Sequence, residues 1–308
     1  KHLNLGWNKI NDKGMVALAK SPMVSGVEEL MLDSNFIGNE GATAIAQSKH
    51  MESLTVLEMH DNKYNQTGAN SLMDLRLRNL VKKYLSGTEL NLNGKQLENQ
   101  GLKALARSGL LSGVVTLSLR NNHFDYIGLE ALSQSKHLSS LKSLNLMDNP
   151  ILNKGAIILA EAKVFSGLQK LNLENCGIMP AGILALAKSA SLEQLREVTL
   201  NKNNIKDKGI QHLAASSNFS NLKILKVGGI SISDQALKAL VLSEHLKNLV
   251  ELGLNGNGIT REGLKFLHDT PNLATLQKID LRRNKFVYED CIFLSGSPRF
   301  KNLEVVRF

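Results

Sequence analysis

The chain has 308 residues, a formal net charge of +9 and two cysteines. Two cysteines exclude a disulfide framework, and no apolar run is long enough for a membrane-spanning helix or placed like a signal peptide. The lysines and arginines are scattered over the chain rather than clustered. A solvated surface therefore accounts for the charge better than a nucleic-acid or membrane-binding patch.

Taken from the N-terminus, the first predicted strands centre on Leu3, Leu30 and Leu57, each 27 residues after the last. The next step, from Leu57 to Leu90, is 33. From Leu90 the step of 27 resumes through Leu117, Leu144, Leu171, Val198, Leu225, Leu252, Ile279 and Val306. In each strand alternate residues face opposite ways: Leu144 and Leu146 point to a core, Ser143, Asn145 and Met147 to solvent. Five places after the strand Leu an Asn recurs, as Asn8, Asn35, Asn62, Asn122, Asn149, Asn203, Asn257 and Asn284. A buried Asn amide needs hydrogen-bond partners.

The second half of each unit predicts a helix. A Gly recurs eleven places after the strand Leu, from Gly14 and Gly41 to Gly263. It is read as letting the backbones of neighbouring helices approach. Small helix formers follow, such as Ala104-Leu105-Ala106 and Ala185-Leu186-Ala187, then a Ser at 21, 48, 108, 135, 189, 216, 243 and 297. One unit cannot bury both its strand and its helix faces, whereas a stack can. The expected fold is α/β, a curved solenoid with a parallel sheet on the concave side and helices on the convex side. It is expected to form a single domain over 1–308 of about eleven 27-residue repeats, with a six-residue insertion within 68–87. Neither end carries a polar cap, so the expectation is a fragment of a longer chain.

Three units depart from the pattern. In the third, Leu72, Leu75, Leu80 and Tyr84 are expected to share one face of a lengthened helix, with Arg76, Arg78, Lys82 and Lys83 as a basic edge. That extension is either a tolerated convex insertion or a docking feature. The unit beginning at Leu225 lacks the Asn, and Ala236 stands in place of its Gly. In the last, Asp290 replaces the Gly, and Phe286, Tyr288, Phe293 and Phe300 enrich it in aromatics. Cys176 takes a position normally held by Asn and is read as a small buried replacement. Cys291 lies four repeats away, roughly 19 Å at the spacing of stacked strands, too far for a disulfide. That fits a reducing compartment.

No phosphate-binding Gly loop, C-x-x-C, H-E-x-x-H or G-x-S-x-G pattern is present. Glu58 and His60 point to the same face of one strand, but a solvated polar strand explains them better than an acid/base or metal site. No catalytic, metal or cofactor-binding residue is expected, and the chain is read as a non-enzyme. The outward strand positions instead run from acidic (Glu29, Asp33, Glu58, with His60) through amide (Asn145, Asn172) to basic (Lys226, Arg282, Arg307, with Arg283 just beyond). These ten residues are the expected partner-binding set. Such a gradient would orient a partner of opposite polarity.

The motif L-x-x-L-x-L-x-x-N, as in Leu141 to Asn149, followed by a Gly and an Ala-Leu-Ala helix, resembles the ribonuclease-inhibitor-like class of leucine-rich repeats over the whole chain. That resemblance implies that the Asn side chains bond the backbone of adjacent turns as a ladder. The closely similar phrases Ala46-Gln47-Ser48-Lys49-His50 and Ser133-Gln134-Ser135-Lys136-His137 resemble bacterial repeat proteins of effector type. The resemblance implies a monomeric protein-interaction scaffold with a protein partner, no small-molecule substrate and no nucleic acid. It would work in the cytoplasm or after delivery into a host-cell cytosol. Two alternatives are the recognition module of a larger enzyme such as a ubiquitin ligase, and a GTPase-activating protein of the same repeat class.

Overall fold

The computed structural model describes residues 1–270, 272–291 and 302–307, without the side chains of Tyr288 and Cys291. Twelve short strands centre on the twelve predicted residues. They are β1 (His2–Asn4), β2 (Glu29–Met31), β3 (Val56–Glu58), β5 (Glu89–Asn91), β6 (Thr116–Ser118), β7 (Ser143–Asn145), β8 (Lys170–Asn172), β9 (Glu197–Thr199), β10 (Ile224–Lys226), β11 (Glu251–Gly253), β12 (Lys278–Asp280) and β13 (Val305–Arg307). A further short strand, β4 (Leu85–Ser86), was not foreseen. The helices are α1 (Asp12–Lys20), α2 (Asn39–Gln47), α3 (Gln66–Tyr84), α4 (Glu98–Arg107), α5 (Tyr126–Ser133), α6 (Leu152–Glu161), α7 (Pro180–Ala187), α8 (Lys206–Ala214), α9 (Asp234–Val241) and α10 (Arg261–Asp269). In the last unit a short 3-10 turn, Tyr288–Cys291, stands where a helix was expected, and Arg261 pairs with Asp290 across it. Ser297, Phe293 and Phe300 lie outside the described residues.

The strand Leu side chains are buried because alternation sends them all to one side of the sheet. Leu144, Leu146, Leu171 and Leu173 are each no more than 2% exposed. The Asn ladder is built as expected. Asn149 Nδ2 donates to Leu146 O in its own turn at 2.9 Å and to Leu119 O in the preceding one at 3.0 Å, and its Oδ1 accepts the Asn122 N–H at 2.9 Å. Asn122 and Asn203 repeat that pattern. The recurring Ser forms a second ladder among the helix ends: Ser189 Oγ donates to Ala160 O at 2.6 Å, with Ser216, Ser243 and Thr270 doing likewise to the helix before them.

The recurring Gly has a second task beside the close helix approach expected, in which a Cβ on Gly182 would lie 3.1 Å from Ala156 Cβ of the preceding helix. At six helix starts a side chain from the preceding repeat caps the turn. Asn153 Oδ1 accepts the N–H of Met179 at 2.9 Å and of Gly182 at 3.1 Å, and Asp12, Asn39 and Asn99 do the same one repeat on. A Cβ on Gly182 would lie 2.7 Å from that Asn153 oxygen. At Gly41, Gly68, Gly128, Gly182 and Gly263 the small residue therefore clears room for an inter-repeat cap, which serves donors that a helix start cannot satisfy itself, whereas at Gly101, Gly155 and Gly209 the crowding comes from the apolar residue four places earlier. The residue nine places after the strand Leu, Asp or Asn in six units, is the sequence mark of this third ladder.

The largest difference from expectation is in the sheet. It is two sheets, β1-β2-β3 and the ten-stranded β13-β12-β11-β10-β9-β8-β7-β6-β5-β4, with no pairing between β3 and β5. The chain turns back at Gly87 (φ +58°), so that β4 pairs antiparallel with β5 and occupies its free edge. The ladder fails at the same place. Lys95 stands where the next Asn would reach back, and the Tyr64 hydroxyl donates to Met59 O instead, at 3.0 Å. The core divides accordingly. Leu72 and Leu75 belong to the cluster under the first sheet, and Leu77, Leu80 and Val81 to the cluster under the second, with Tyr84 packed against it. These residues do not share one face, as expected, because the 19-residue α3 passes from one core to the other. The basic edge is also taken apart. Arg76 Nη2 donates to Lys95 O at 2.5 Å, Arg78 Nη2 donates to Ala46 O at 2.7 Å, and Lys82 pairs with Glu52. Between them the buried Asn79 amide donates to Met51 O at 2.7 Å and Leu54 O at 2.8 Å. The extension is a brace across the gap.

Cys176 is fully buried, and its Sγ donates to Leu146 O at 3.2 Å, which makes it a weaker rung of the Asn ladder. Burial pushes the thiol up to about 12, with the Asp148 and Glu174 carboxylates adding to the effect. The folded form keeps its proton at a pH where an unfolded thiol loses it. Its contribution to stability is therefore complete below about pH 9 and is lost as pH rises from there toward 12, at up to about 1.4 kcal/mol per pH unit. Denaturant midpoints between pH 8 and 11 should fall more steeply for the native chain than for Cys176→Asn. Parallel curves would contradict the buried thiol.

Candidate concave site

Backbone register sets the concave surface out as a grid. Lys226, Gly253, Asp280 and Arg307 lie in one row across β10 to β13, and Ile224, Glu251, Lys278 and Val305 in the next. The residue two places beyond each strand's last outward position falls in a third row, with Gly228, Asn255 and Arg282. Gly253 contributes no side chain to its row. A hollow of about 360 Å³ opens there, its rim carrying Lys226, Glu251, Lys278, Asp280, Arg282 and Arg307.

The charges of this end are partly matched from within. Lys226 Nζ lies 3.2 Å from Glu251 Oε1. Arg282 grips Asp280 with two bonds, Nε to Oδ1 at 2.9 Å and Nη2 to Oδ2 at 2.6 Å. That contact holds the Asp280 carboxyl below its ordinary range and raises the Arg282 guanidinium. Arg307 and Lys278 are exposed and form no ion pair among the described residues. Arg283 lies outside the grid, exposed in the turn after β12 with φ +58°.

The middle of the sheet is occupied by its own polar network. Asn145 Nδ2 donates to Ser118 Oγ at 3.0 Å, and Asn172 Oδ1 accepts the Glu174 N–H at 2.9 Å. Along the rim Arg120 bonds Asp148 at 2.8 Å and Lys202 bonds Glu174 at 2.8 Å. At the acidic end Glu29 Oε2 lies 2.6 Å from His2 Nδ1, and Asp33 Oδ1 accepts the His60 N–H at 2.8 Å. Glu58 is half-buried on β3, and the His60 side chain is exposed just beyond it. The acidic residues thus sit on the three-stranded sheet, and the amide and basic residues on the ten-stranded one.

Of the ten candidate residues, Lys226, Arg282 and Arg307 come together around the hollow. Sequence reasoning missed Glu251, Asp280 and Asn255, which share it. The signal was present: all three fall at outward positions of the same 27-residue step, but only the basic residues of those strands were counted. Among the described residues no group of three or more His, Cys, Asp and Glu is placed to hold a metal ion, and no helix is long and apolar enough to cross a membrane.

The Leucine Rich repeat family model matches residues 1–19, 137–160 and 245–267. A search of curated proteins finds no match. Among solved structures, an internalin (inlF) from Listeria monocytogenes is similar at 21% identity and TM-score 0.48, over 100% of this chain and 86% of that one. An internalin C2 from the same organism is similar at 19% identity and TM-score 0.48, over 77% of this chain and 82% of that one. A plant peptide hormone receptor, RGFR1, solved in complex with RGF2, is similar at 14% identity and TM-score 0.42, over 99% of this chain and 49% of that one.

Proposed function

We propose that this chain, a leucine-rich repeat protein, is a binding scaffold that holds a partner protein on its concave sheet. Leucine-rich repeat proteins act as protein-interaction scaffolds. The observation that carries the assignment to this face is the grid. Its outward charged side chains stand at strand spacing, and among the described residues no other element covers them. The basic convex edge, by contrast, spends its guanidinium groups on the protein's own carbonyls. In this reading residues 1–308 form one binding unit. Its face runs from Glu29, Asp33, Glu58 and His60, through Asn145 and Asn172, to Lys226, Arg282, Arg283 and Arg307. The near-identical repeat phrases support a ribonuclease-inhibitor-like protein of bacterial effector type working in a host-cell cytosol, with binding rather than catalysis as its task.

The test begins with capture of a partner on the immobilised chain and its identification by mass spectrometry. Reversing Arg282 and Arg283 to Glu should then weaken binding at least tenfold, with slower association at low salt. Reversing Lys103 and Lys136, exposed on the helical side, should change it little. Arg76 and Arg78 are unsuitable controls because their loss would disturb the fold. If the Lys103 and Lys136 reversal abolishes binding and the strand reversal does not, the partner lies on the convex side and the reading fails.

A further inference from the structure

Resting on the scaffold reading, we infer that the hollow over Gly253 receives a phosphorylated side chain of the partner, held by Lys278, Arg307 and Asn255. Four cationic side chains surround the hollow, and two carboxylates stand among them. Glu251 engages Lys226 and Asp280 engages Arg282, so each carboxylate is already committed. The balance is two positive charges; Lys278 and Arg307 form no ion pair among the described residues, and the Arg307 charge reaches Asp280 only through space.

Asn255 supplies the third donor. In other repeats the side chain at its position accepts the N–H of the equivalent residue one repeat on: Asp33 accepts from His60, Asn93 from Arg120, and Asn201 from Gly228, at 2.7 to 2.8 Å. For Asn255 that N–H belongs to Arg282, and Asp280 Oδ1 takes it at 3.2 Å. The Asn255 carboxamide lies beside Gly228, where a Cβ would come within 2.5 Å of its Oδ1, and it makes no hydrogen bond among the described residues. A buried Asn is normally satisfied; this one is half-buried and lines the hollow.

A phosphomonoester carries about −1.5 to −2 charge at neutral pH and three strong acceptor oxygens. That matches two unpaired cations and a spare amide, and the Arg307 fork suits two of its oxygens. A single carboxylate would leave one of the two charges unmet. Gly253 completes the case because it makes the space. A Cβ there would meet nothing closer than Lys226 Cγ at 3.4 Å, an ordinary contact, so a larger side chain can be placed in the hollow without entering the core.

The experiment uses the full chain and fluorescence anisotropy with dye-labelled pools of degenerate nonapeptides. The central residue is phosphoserine, serine or glutamate. The phosphoserine pool should bind at least tenfold more tightly than the other two. That preference should vanish in Lys278→Gln/Arg307→Gln and in Gly253→Leu, and persist in Lys103→Gln. Equal binding of the phosphoserine and serine pools overturns the inference. So does a glutamate pool that binds as well as the phosphoserine pool, which would make this a carboxylate site. Retention of the preference by folded Gly253→Leu overturns it too. If the pools show no preference while partner capture still depends on Arg282 and Arg283, the scaffold reading stands and the phosphate site alone falls.

Discussion

Asn149→Leu should lower stability by about 1–3 kcal/mol. Its amide serves the Leu119 and Leu146 carbonyls and the Asn122 N–H, and the side chain is fully buried. Leucine has similar bulk but no polar atoms. It strands the Asn122 N–H at a cost of about 1–3 kcal/mol, and it takes one of two donors from the Leu119 and Leu146 carbonyls, which keep the Asn122 amide and the Cys176 thiol. Lys142→Ala, on an exposed side chain, should stay within about 0.5 kcal/mol of the native chain. Urea melts of both variants settle the comparison. Equal midpoints would remove Asn149 from the buried ladder.

Asn79→Leu should have a second large effect, of a different kind. In a solenoid each repeat is stabilised by its neighbours, so cooperativity is carried only by the contacts between adjacent units. Between β3 and β5 the strand bonds are absent. What remains is α3, with Asn79 donating to Met51 O and Leu54 O and Arg78 donating to Ala46 O. Removing the Asn79 amide leaves the Leu54 carbonyl of the first module unpaired, takes one of two donors from Met51 O, and weakens the coupling. Unfolding should separate into two transitions, with the segment before α3 melting first. Amide exchange should report it directly, with protection falling across β1 to β3 and holding in β6 to β11. A single transition, shifted as a whole, would show that the two sheets stay coupled without this contact.

Much of this architecture was legible because its physical basis is local and repetitive. The inward Leu pair, the ladder Asn and the recurring Ser each sit at a fixed offset from the strand, so twelve strand positions followed from one. Three things were not legible for identifiable reasons. The 33-residue step was visible, but a longer unit reads equally well as a helix extension on an intact sheet. Only the geometry of Gly87 and the missing amide at Lys95 show that the sheet stops. The Gly in the first turn of a helix signals small size without saying what needs the space, and at positions such as Gly182 part of the answer lies in Asn153, one repeat earlier. The concave charges were read one strand at a time. Their pairing in Glu251 with Lys226 and Asp280 with Arg282 depends on two-dimensional neighbours, and these made a nominally basic end into a hollow with two charges to spare.

The uniform register across the ten-stranded sheet also bears on how the chain can change length. Where the three ladders are present, the donors that cross between repeats reach acceptors 25 to 30 residues away. Copying or deleting one whole unit between β6 and β12 keeps the strands in register, so the sheet accommodates tandem duplication there. The unit that ends in β4 differs. Its terminal hairpin occupies the edge of β5 where the preceding strand would pair, and a second copy would bring a second discontinuity with it. Growth and loss by recombination are therefore accommodated on one side of α3, and the three-stranded module on the other side is inherited as a block.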